Sequence, residues 1–400
     1  IVGGVLNFEE ALHYIDWETL ILLIGLMITV VVAEHSGIFA WLSTKIAQRS
    51  KGSPLAIFLL FTALTFFAST ILNNATVVLL VVPIALALAK GLGLNSKLLV
   101  ITIAIFSNIG GTLTLIGDPP NTLIGVQVGL SFNDFLINLS LPIFVMSGVI
   151  MGYLLVVNKK YFRPIKDNLF DLFVSNLIIE RINYKFASKK LDKYFIASTC
   201  GIIFLTVIAF MFSQQIGVSV GVLGIASGIV LGLLVGKRVD YVRVIKEIEW
   251  DSILFFAALF VQVGALQKVG FLDMIANYIA GFSGNFVLLM MIILWTMGLA
   301  SSVINNIPFV ALMIPVILSL QSKMTGQPHL DLLWWALALG ACLGGNFTVI
   351  GSSSGILAVD AAKKLGVKVS FIDFMKVGVP VSLISLIVSS IYLVVRFYYF

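Results

Sequence analysis

The sequence predicts an all-α polytopic membrane protein made of two inverted-topology repeats, each with a re-entrant hairpin and a broken transmembrane helix. Three observations predict it: an apolar composition, four pairs of matching segments in the same order, and opposite charge on equivalent loops. The 400 residues are 60% hydrophobic and 11% charged, with a mean hydropathy of +1.09. Soluble domains are about one quarter charged. Apolar runs occur at 19–33, 97–107 (extended by a polar segment), 139–157, 194–212, 217–236, 252–266 and 377–395. With their flanks they are long enough to cross roughly 30 Å of hydrocarbon. The runs are continuous rather than alternating, which excludes a β-barrel.

The repeat is legible in the residues. "IDWETLILL" (Ile15–Leu23) returns as "IEWDSILFF" (Ile248–Phe256), and "STILNNATVVLLVVPIAL" (Ser69–Leu86) as "SSVINNIPFVALMIPVIL" (Ser301–Leu318). "GGTLTLIGDPPN" (Gly110–Asn121) returns as "GGNFTVIGSSSG" (Gly344–Gly355), and "SFNDF" (Ser131–Phe135) as "SFIDF" (Ser370–Phe374). The spacing between copies is nearly constant, as in an internal duplication. The expected organisation is a first repeat at 1–157, a basic cytoplasmic linker at 158–193, a connecting helical pair at 194–247 and a second repeat at 248–400. The chain starts at Ile1, not Met, which leaves open an earlier helix or signal segment.

Charge sets the orientation of each half, because Lys and Arg stay cytoplasmic. Lys45, Arg49 and Lys51 sit in a loop whose counterpart in the second half carries no base. Lys363, Lys364 and Lys368 sit in a loop whose first-half counterpart carries none. Equivalent loops therefore face opposite sides. On the resulting path 18–38 crosses inward, 55–89 is a re-entrant hairpin, 97–125 crosses outward broken in the middle, and 139–157 returns. Residues 194–213 and 217–236 form a pair. The second half repeats this upside down, with a hairpin at 286–321 and a broken segment at 332–360. All 25 Lys and Arg fall inside except Lys268, Lys323 and Arg396. The basic linker reads as a solvated segment, and its bases also suit anionic lipid headgroups. The net charge of +6 comes from these loops and is no nucleic-acid signal.

Each element then has a reason. Backbone that leaves the helix at membrane depth is tolerated only where it faces protein or water. In "NIGGTLTLIGDPPN" (Asn108–Asn121) the Gly110–Gly111 pair loosens the helix, and Pro119 and Pro120 restart it at a first turn. Asp118 reads either as the N-cap of the returning half-helix or as a coupling group, since buried carboxyls in membranes are usually functional. Its counterpart is Ser352. The hairpin tips read Asn73–Asn74 and Asn305–Asn306. Asn suits a tight tip, and its amide also offers an oxygen to a cation and an N–H to an oxyanion. The candidate binding residues are Asn73, Asn74, Thr76, Asn108, Gly111, Thr112, Thr114, Gly117, Asp118 and Asn121 in the first half. In the second they are Asn305, Asn306, Asn346, Thr348, Gly351, Ser352, Ser353 and Ser354. Glu34 is a second candidate for coupling, with His35 as its partner, or an interfacial residue. Trp17 and Trp250 read as interface anchors. Cys200 and Cys342 read as buried reduced thiols, and the three histidines, His13, His35 and His329, cluster with no metal ligands. No cofactor is expected beyond Na⁺ or H⁺ as coupling ion.

"FSNIGGTLTLIGDPPNTLIG", "INNIPFVALMIPV" and "LGACLGGNFTVIGSSSG" resemble the arsenical-pump/NhaD/P-protein branch of the ion transporter superfamily, which also holds divalent anion–sodium symporters and citrate transporters. The likeness runs from Ile15 to Arg396. It implies a multi-pass plasma-membrane carrier, a homodimer with a moving transport domain, and, if of arsenical-pump type, a separate ATPase subunit. One departure stands out. The P-protein-like branch usually carries Asp-Asn at the tips, and here both read Asn-Asn. By analogy with the anion–sodium symporters, Asn74 and Asn306 would serve two Na⁺ sites. The function expected is ion-driven secondary transport of a small inorganic or carboxylate anion, or arsenite. The alternative is a Na⁺/H⁺ antiporter. A channel fits the two tips poorly. An intramembrane enzyme lacks a catalytic set, and no GxxxxGK[ST] segment is present for ATP.

Overall fold

The computed structural model describes residues 5–50, 53–91, 95–162, 192–236, 238–281, 284–324 and 326–399. Most of the expected linker therefore lies outside the described residues. Apart from single turns, the first half comprises α1 (Phe8–Tyr14), α2 (Trp17–His35), α3 (Ile38–Ser50), α4 (Pro54–Ser69), α5 (Asn74–Gly91), α6 (Ser96–Gly111), α7 (Pro119–Val128) and α8 (Phe132–Val157). The connecting elements are α9 (Lys193–Met211), α10 (Val220–Val235) and α11 (Tyr241–Glu247). The second half runs α12 (Trp250–Lys268), α13 (Phe271–Ala280), α14 (Phe286–Val303), α15 (Asn306–Lys323), α16 (Leu332–Gly344), α17 (Ser353–Lys364) and α18 (Phe371–Tyr399). From α12 onward the order repeats that from α2. Seven of these helices are long and apolar enough to cross a membrane, and the protein is an integral multi-pass membrane protein.

Helix length marks the first hairpin, whose leading arm is too short to cross. The 16 residues of α4 reach about 24 Å at 1.5 Å per residue, short of a bilayer core of about 30 Å. The chain turns at Asn73 while still at membrane depth. α6 is also 16 residues long and likewise stops before the far side. The "SFNDF" and "SFIDF" motifs have a simple role: they start the long helices that close each repeat. Ser131 and Asp134 form a reciprocal capping box at α8. Ser370 and Asp373 do the same at α18, with Asp373 N donating to Ser370 Oγ (3.0 Å) and Ser370 N to Asp373 Oδ2 (3.1 Å).

Packing ties the repeats together crosswise. α5, the second arm of the first hairpin, packs on α17, while α15 packs on α7. Each returning half-helix is thus held by the other repeat's hairpin. Beside this core, α2 lies along α10 at backbone contact: a Cβ on Gly25 would sit 2.3 Å from the Gly224 carbonyl carbon. Thr29 Oγ1 and Ser227 Oγ are hydrogen-bonded across the seam at 3.1 Å. Small residues with an interhelical hydroxyl pair are how apolar helices associate in lipid. Cys200 on α9 is exposed, contrary to the expected buried thiol. A lipid-facing position is as apolar in composition as a core position, so its neighbours in sequence could not tell the two apart.

The ion pairs agree with the charge-derived topology. Lys97–Asp373 (2.7 Å), Arg238–Asp192 (2.5 Å) and His35–Glu247 (3.4 Å) each join segments assigned to the cytoplasm. Lys268–Glu10 (2.6 Å) and Arg396–Asp331 (3.7 Å) join segments assigned to the outside. Outside the spans, the Lys268 ammonium holds the Glu10 carboxyl below the usual range, and the Arg238 guanidinium does so for Asp192. Trp17 and Trp250 are both exposed, as interface anchors would be. In a Cys200→Ser background, single cysteines at Lys160, Arg243 and Lys364 should be protected in intact cells from an impermeant maleimide. Cysteines at Glu9 and Lys323 should react. Labelling of Lys160 and Lys364 from opposite sides would contradict the inverted repeat.

Candidate functional site

The breaks are built from glycine because other strands of backbone run against them. A Cβ on Gly110 would lie 2.2 Å from Phe66 O, and one on Gly344 would lie 2.2 Å from Gly298 O. Inside the loops, a Cβ on Gly117 would meet Ser69 O at 2.7 Å, and one on Gly351 would meet Ser301 O at 2.6 Å. Every pair has its counterpart in the other repeat. A threonine then straps each loop to its hairpin: Thr114 Oγ1 donates to Thr70 O, and Thr348 Oγ1 to Ser302 O. Thr112 Oγ1 donates to Asn108 O at 2.7 Å and finishes α6. Freed carbonyls at the tips are thereby satisfied by the breaks.

The two Asn of each tip divide the work. Asn73 Oδ1 accepts from Ala75 N (2.9 Å), and Asn305 Oδ1 from Ile307 N (3.2 Å). These first residues turn the chain. The second residues, Asn74 and Asn306, are buried. Asn74 is packed so tightly on Gly111 that a Cβ there would lie 2.4 Å from the Asn74 side-chain amide. With its amide nitrogen facing the break, Asn74 donates to Ser107 O (2.8 Å) and Gly117 O (3.2 Å). Ser107 Oγ in turn donates to Asn74 O (3.1 Å) and pairs with Ser69 Oγ (2.9 Å). Ser107 aligns with Ala341 in the repeat, so the second tip lacks this bracing.

At the centre the two broken helices cross, and each reaches into the other's loop. Asn108 Nδ2 donates to Asn346 Oδ1 at 2.8 Å, and Ser354 Oγ donates to Asn108 Oδ1 at 2.6 Å. In the duplicate position stands Cys342, whose thiol donates to Asn121 Oδ1 at 3.5 Å and also lies beside Thr112 and Asp118. Thr112 aligns with Asn346, so the two braces are the same contact made twice. Asn121 Nδ2 is occupied by Thr112 O (2.9 Å) and Thr114 O (3.0 Å). Cys342 is buried, as expected, but it is a site residue that the sequence reading passed over. Its alignment with Asn108 was the available signal. Among the candidates, Ser353 is exposed, while its neighbours Ser352 and Ser354 are buried.

Asp118 corrects an expectation. It occupies the N-cap position of α7 with extended backbone, but its side chain makes no capping bond. The reason is chemical. An N-cap side chain bonds the N–H of the second or third helical residue. The second is Pro120, which has none, and the N–H of the third, Asn121, goes to Asp118 O at 3.0 Å. Ser352 has no such obstacle and accepts from Gly355 N at 3.2 Å. Asp118 is 5% exposed, the Cys342 thiol lies beside it, and its Oδ2 has no hydrogen-bond partner among the described residues.

A cavity of about 320 Å³ borders this region on the side that the loop charges assign to the cytoplasm. Glu34, Glu247 and Glu249 line it, and it also borders Asn73, Thr76, Ile116, Pro119 and Thr122. His35, the natural partner of Glu34 should that residue titrate, faces other groups. Its Nδ1 faces Val31 O at 2.8 Å and its Nε2 faces Glu247 at 3.4 Å. On the side that the loop charges assign to the outside, a cavity of about 550 Å³ between Asp16, Gln127, Gln267 and Pro315 borders the arm of the second hairpin and does not touch its tip. Among the described residues no group of three or more His, Cys, Asp or Glu could hold a metal ion.

The difference between the two caps is testable by melting. Ser352→Ala should destabilise by about 0.5–2 kcal/mol, the usual cost of a lost cap. Asp118→Ala removes no cap bond and should leave the melting temperature unchanged or raised. Equal losses in the two variants would restore a capping role for Asp118.

Comparison with known proteins agrees with this architecture. Residues 1–340 match the family model described as citrate transporter, CitMHS. The "46 kDa membrane protein" of Mycobacterium leprae is 36% identical over 404 residues, covering 98% of this chain and 90% of that one. An uncharacterized transporter of Mycobacterium tuberculosis is 34% identical, over 100% of this chain and 91% of its own length. The P protein of Mus musculus is 30% identical over 99% of this chain and 56% of its own. In fold, the chain is similar to the YdaH transporter of Alcanivorax borkumensis, at a TM-score of 0.54 and 14% identity, covering 98% of this chain and 88% of that one. With a family match over most of its length and such relatives along nearly all of it, this protein is a secondary transporter belonging to the citrate transporter family of the ion transporter superfamily.

Proposed function

We propose that the protein moves a small carboxylate of the citrate type, coupled to the gradient of a monovalent cation, and binds it between the two hairpin tips and the two breaks. The observation that carries this reading is the meeting of the four helix interruptions around Asn74, Asn108, Asn346 and Ser354, all buried and at membrane depth. Four helices begin there, at Asn74, Asn306, Pro119 and Ser353, and four end there, at Ser69, Val303, Gly111 and Gly344. Helix N-termini favour anions and C-terminal carbonyls favour cations. A site with both suits an anion that travels with a cation. The cytoplasmic cavity supplies a route to the first tip, and its volume is in the range of small-molecule sites.

The family description supports a carboxylate over arsenite or an inorganic oxyanion. The absence of aspartate from both tips speaks against Na⁺/H⁺ exchange through tip carboxyls. Na⁺ at Asn74 and Asn306, or a proton at Asp118, supplies the coupling.

The test is flux in proteoliposomes. Saturable citrate or succinate uptake, driven by a Na⁺ or proton gradient and competed by unlabelled substrate, is expected. Asn74→Ala and Asn306→Ala should each lower uptake tenfold or more, the equivalent of about 1.4 kcal/mol, with monodisperse protein retained. Exchange of Na⁺ for protons with no carboxylate flux, or transport of arsenite alone, would refute the proposal.

A further inference from the structure

The two breaks match in sequence length and in most contacts, yet they differ in what they leave free. In the first, the returning half-helix α7 starts with Pro119 and Pro120. Two of the N–H groups that a helix N-terminus would offer do not exist there. What remains free is a carboxyl oxygen, Asp118 Oδ2. In the second, α17 starts with Ser353 and Ser354, whose N–H groups have no backbone acceptor among the described residues. What remains free on a side chain there is a donor: Asn346 is wholly buried, its Oδ1 is taken by Asn108, and its Nδ2 has no partner. Among side chains, the first break is thus left with a free acid at a helix start that lacks two N–H groups, and the second with a free amide donor at a helix start that has them.

We propose that the repeats divide the chemistry of one transport cycle: the second break, at Asn346 and the N-terminus of α17, holds the carboxylate of the substrate, and the first break, at Asp118, carries the proton that travels with it. This rests on the reading of the protein as a carboxylate carrier. A buried donor pair at a helix start is suited to an oxyanion. A proton fits the first break better than Na⁺ does. Thr114 Oγ1 there already accepts from Gly117 N at 3.0 Å, Asn121 is bonded at both ends of its amide, and the side chain beside Asp118 is a thiol, a poor ligand for a hard cation. The step is a simple one. On one side of the membrane a hydronium O–H bond breaks as the Asp118 carboxylate takes up the proton; on the other side the carboxyl O–H bond breaks as a water molecule accepts it and hydronium forms. The titratable neighbour is Cys342 on α16, and no charged side chain acts on Asp118 among the described residues. Glu34, Glu247 and Glu249 line the cavity that borders Pro119 and Thr122 beside it.

Two variants separate the roles. Asp118→Asn keeps shape and cannot carry a proton. Asn346→Asp keeps an oxygen for Asn108 Nδ2 and replaces the free donor by a charge that repels the anion. In proteoliposomes, Asp118→Asn should keep citrate counterflow, which needs no net proton movement, and lose accumulation driven by a pH gradient. Asn346→Asp should lose both. In purified protein, the citrate-induced thermal shift should survive in Asp118→Asn, while half-saturation in Asn346→Asp should rise about tenfold or more, as for a lost hydrogen bond to a charged group. A readout independent of substrate is the carboxyl C=O band in infrared difference spectra between acidic and alkaline buffer. The wild type should show a band that Asp118→Asn lacks. Identical bands in the two proteins overturn the proton carrier even if no citrate moves. Accumulation by Asp118→Asn driven by a pH gradient, or wild-type accumulation that follows Na⁺ alone, overturns it as well. Unchanged citrate binding in Asn346→Asp overturns the anion assignment. A wild type that takes up no carboxylate refutes the functional reading itself, and the infrared result then stands on its own.

Discussion

A helix interrupted inside a bilayer leaves N–H and C=O groups that water cannot reach, and each costs several kcal/mol if left alone. The architecture of this transporter follows from that constraint. The two hairpins stop at membrane depth, so their tips carry free carbonyls. The two broken helices supply hydroxyls to those carbonyls, Thr114 to Thr70 and Thr348 to Ser302. The breaks in turn lean on the tips through glycines that admit no side chain. Each feature thus satisfies or accommodates backbone of the other. Their pairing in both repeats explains why tip and break recur as a unit in the sequence.

The crossing of the broken helices adds a second dependency. Asn108 in one helix and Cys342 in the other each reach into the opposite loop. The site is therefore shared between repeats rather than duplicated within each. Shared construction lets the symmetry break without loss of fold. A Pro-Pro start in one half and a Ser-Ser start in the other keep the same path while changing which groups are left unsatisfied. The outer helices do not follow the symmetry so closely. α2 is seated on α10 through Gly25 and Gly224, and the cytoplasmic cavity bordering the first tip opens between α2 and the first hairpin.

Much of this was legible in the sequence, because the signals were polar residues in apolar surroundings. The Asn pairs, the glycine pairs and the proline start each stand out against hydrocarbon, and duplication made each of them count twice. The loop charges carried the topology, and the ion pairs join the same sides. What stayed hidden depended on distance in space. Nothing local in "ACLGG" marks Cys342 as a brace, since a buried thiol reads as inert. The exposure of Cys200 was invisible because lipid and core select the same residues. The pairing of His35 with Glu247 joins elements far apart in the chain. The missing cap at Asp118 is a different case. Pro120 at the second helical position already forbids the bond, and attention to the position of the N–H groups would have revealed it.

The central claim is that the meeting point of tips and breaks is where the substrate sits. Cryo-electron microscopy of the protein with saturating citrate tests this most directly. The account predicts density in contact with the second break, between Asn346, Ser354 and the tip of the second hairpin, that is absent from the map without citrate. Citrate density confined to the outer cavity by Gln127 and Gln267, or to a surface of α9 and α10 away from both breaks, would contradict it.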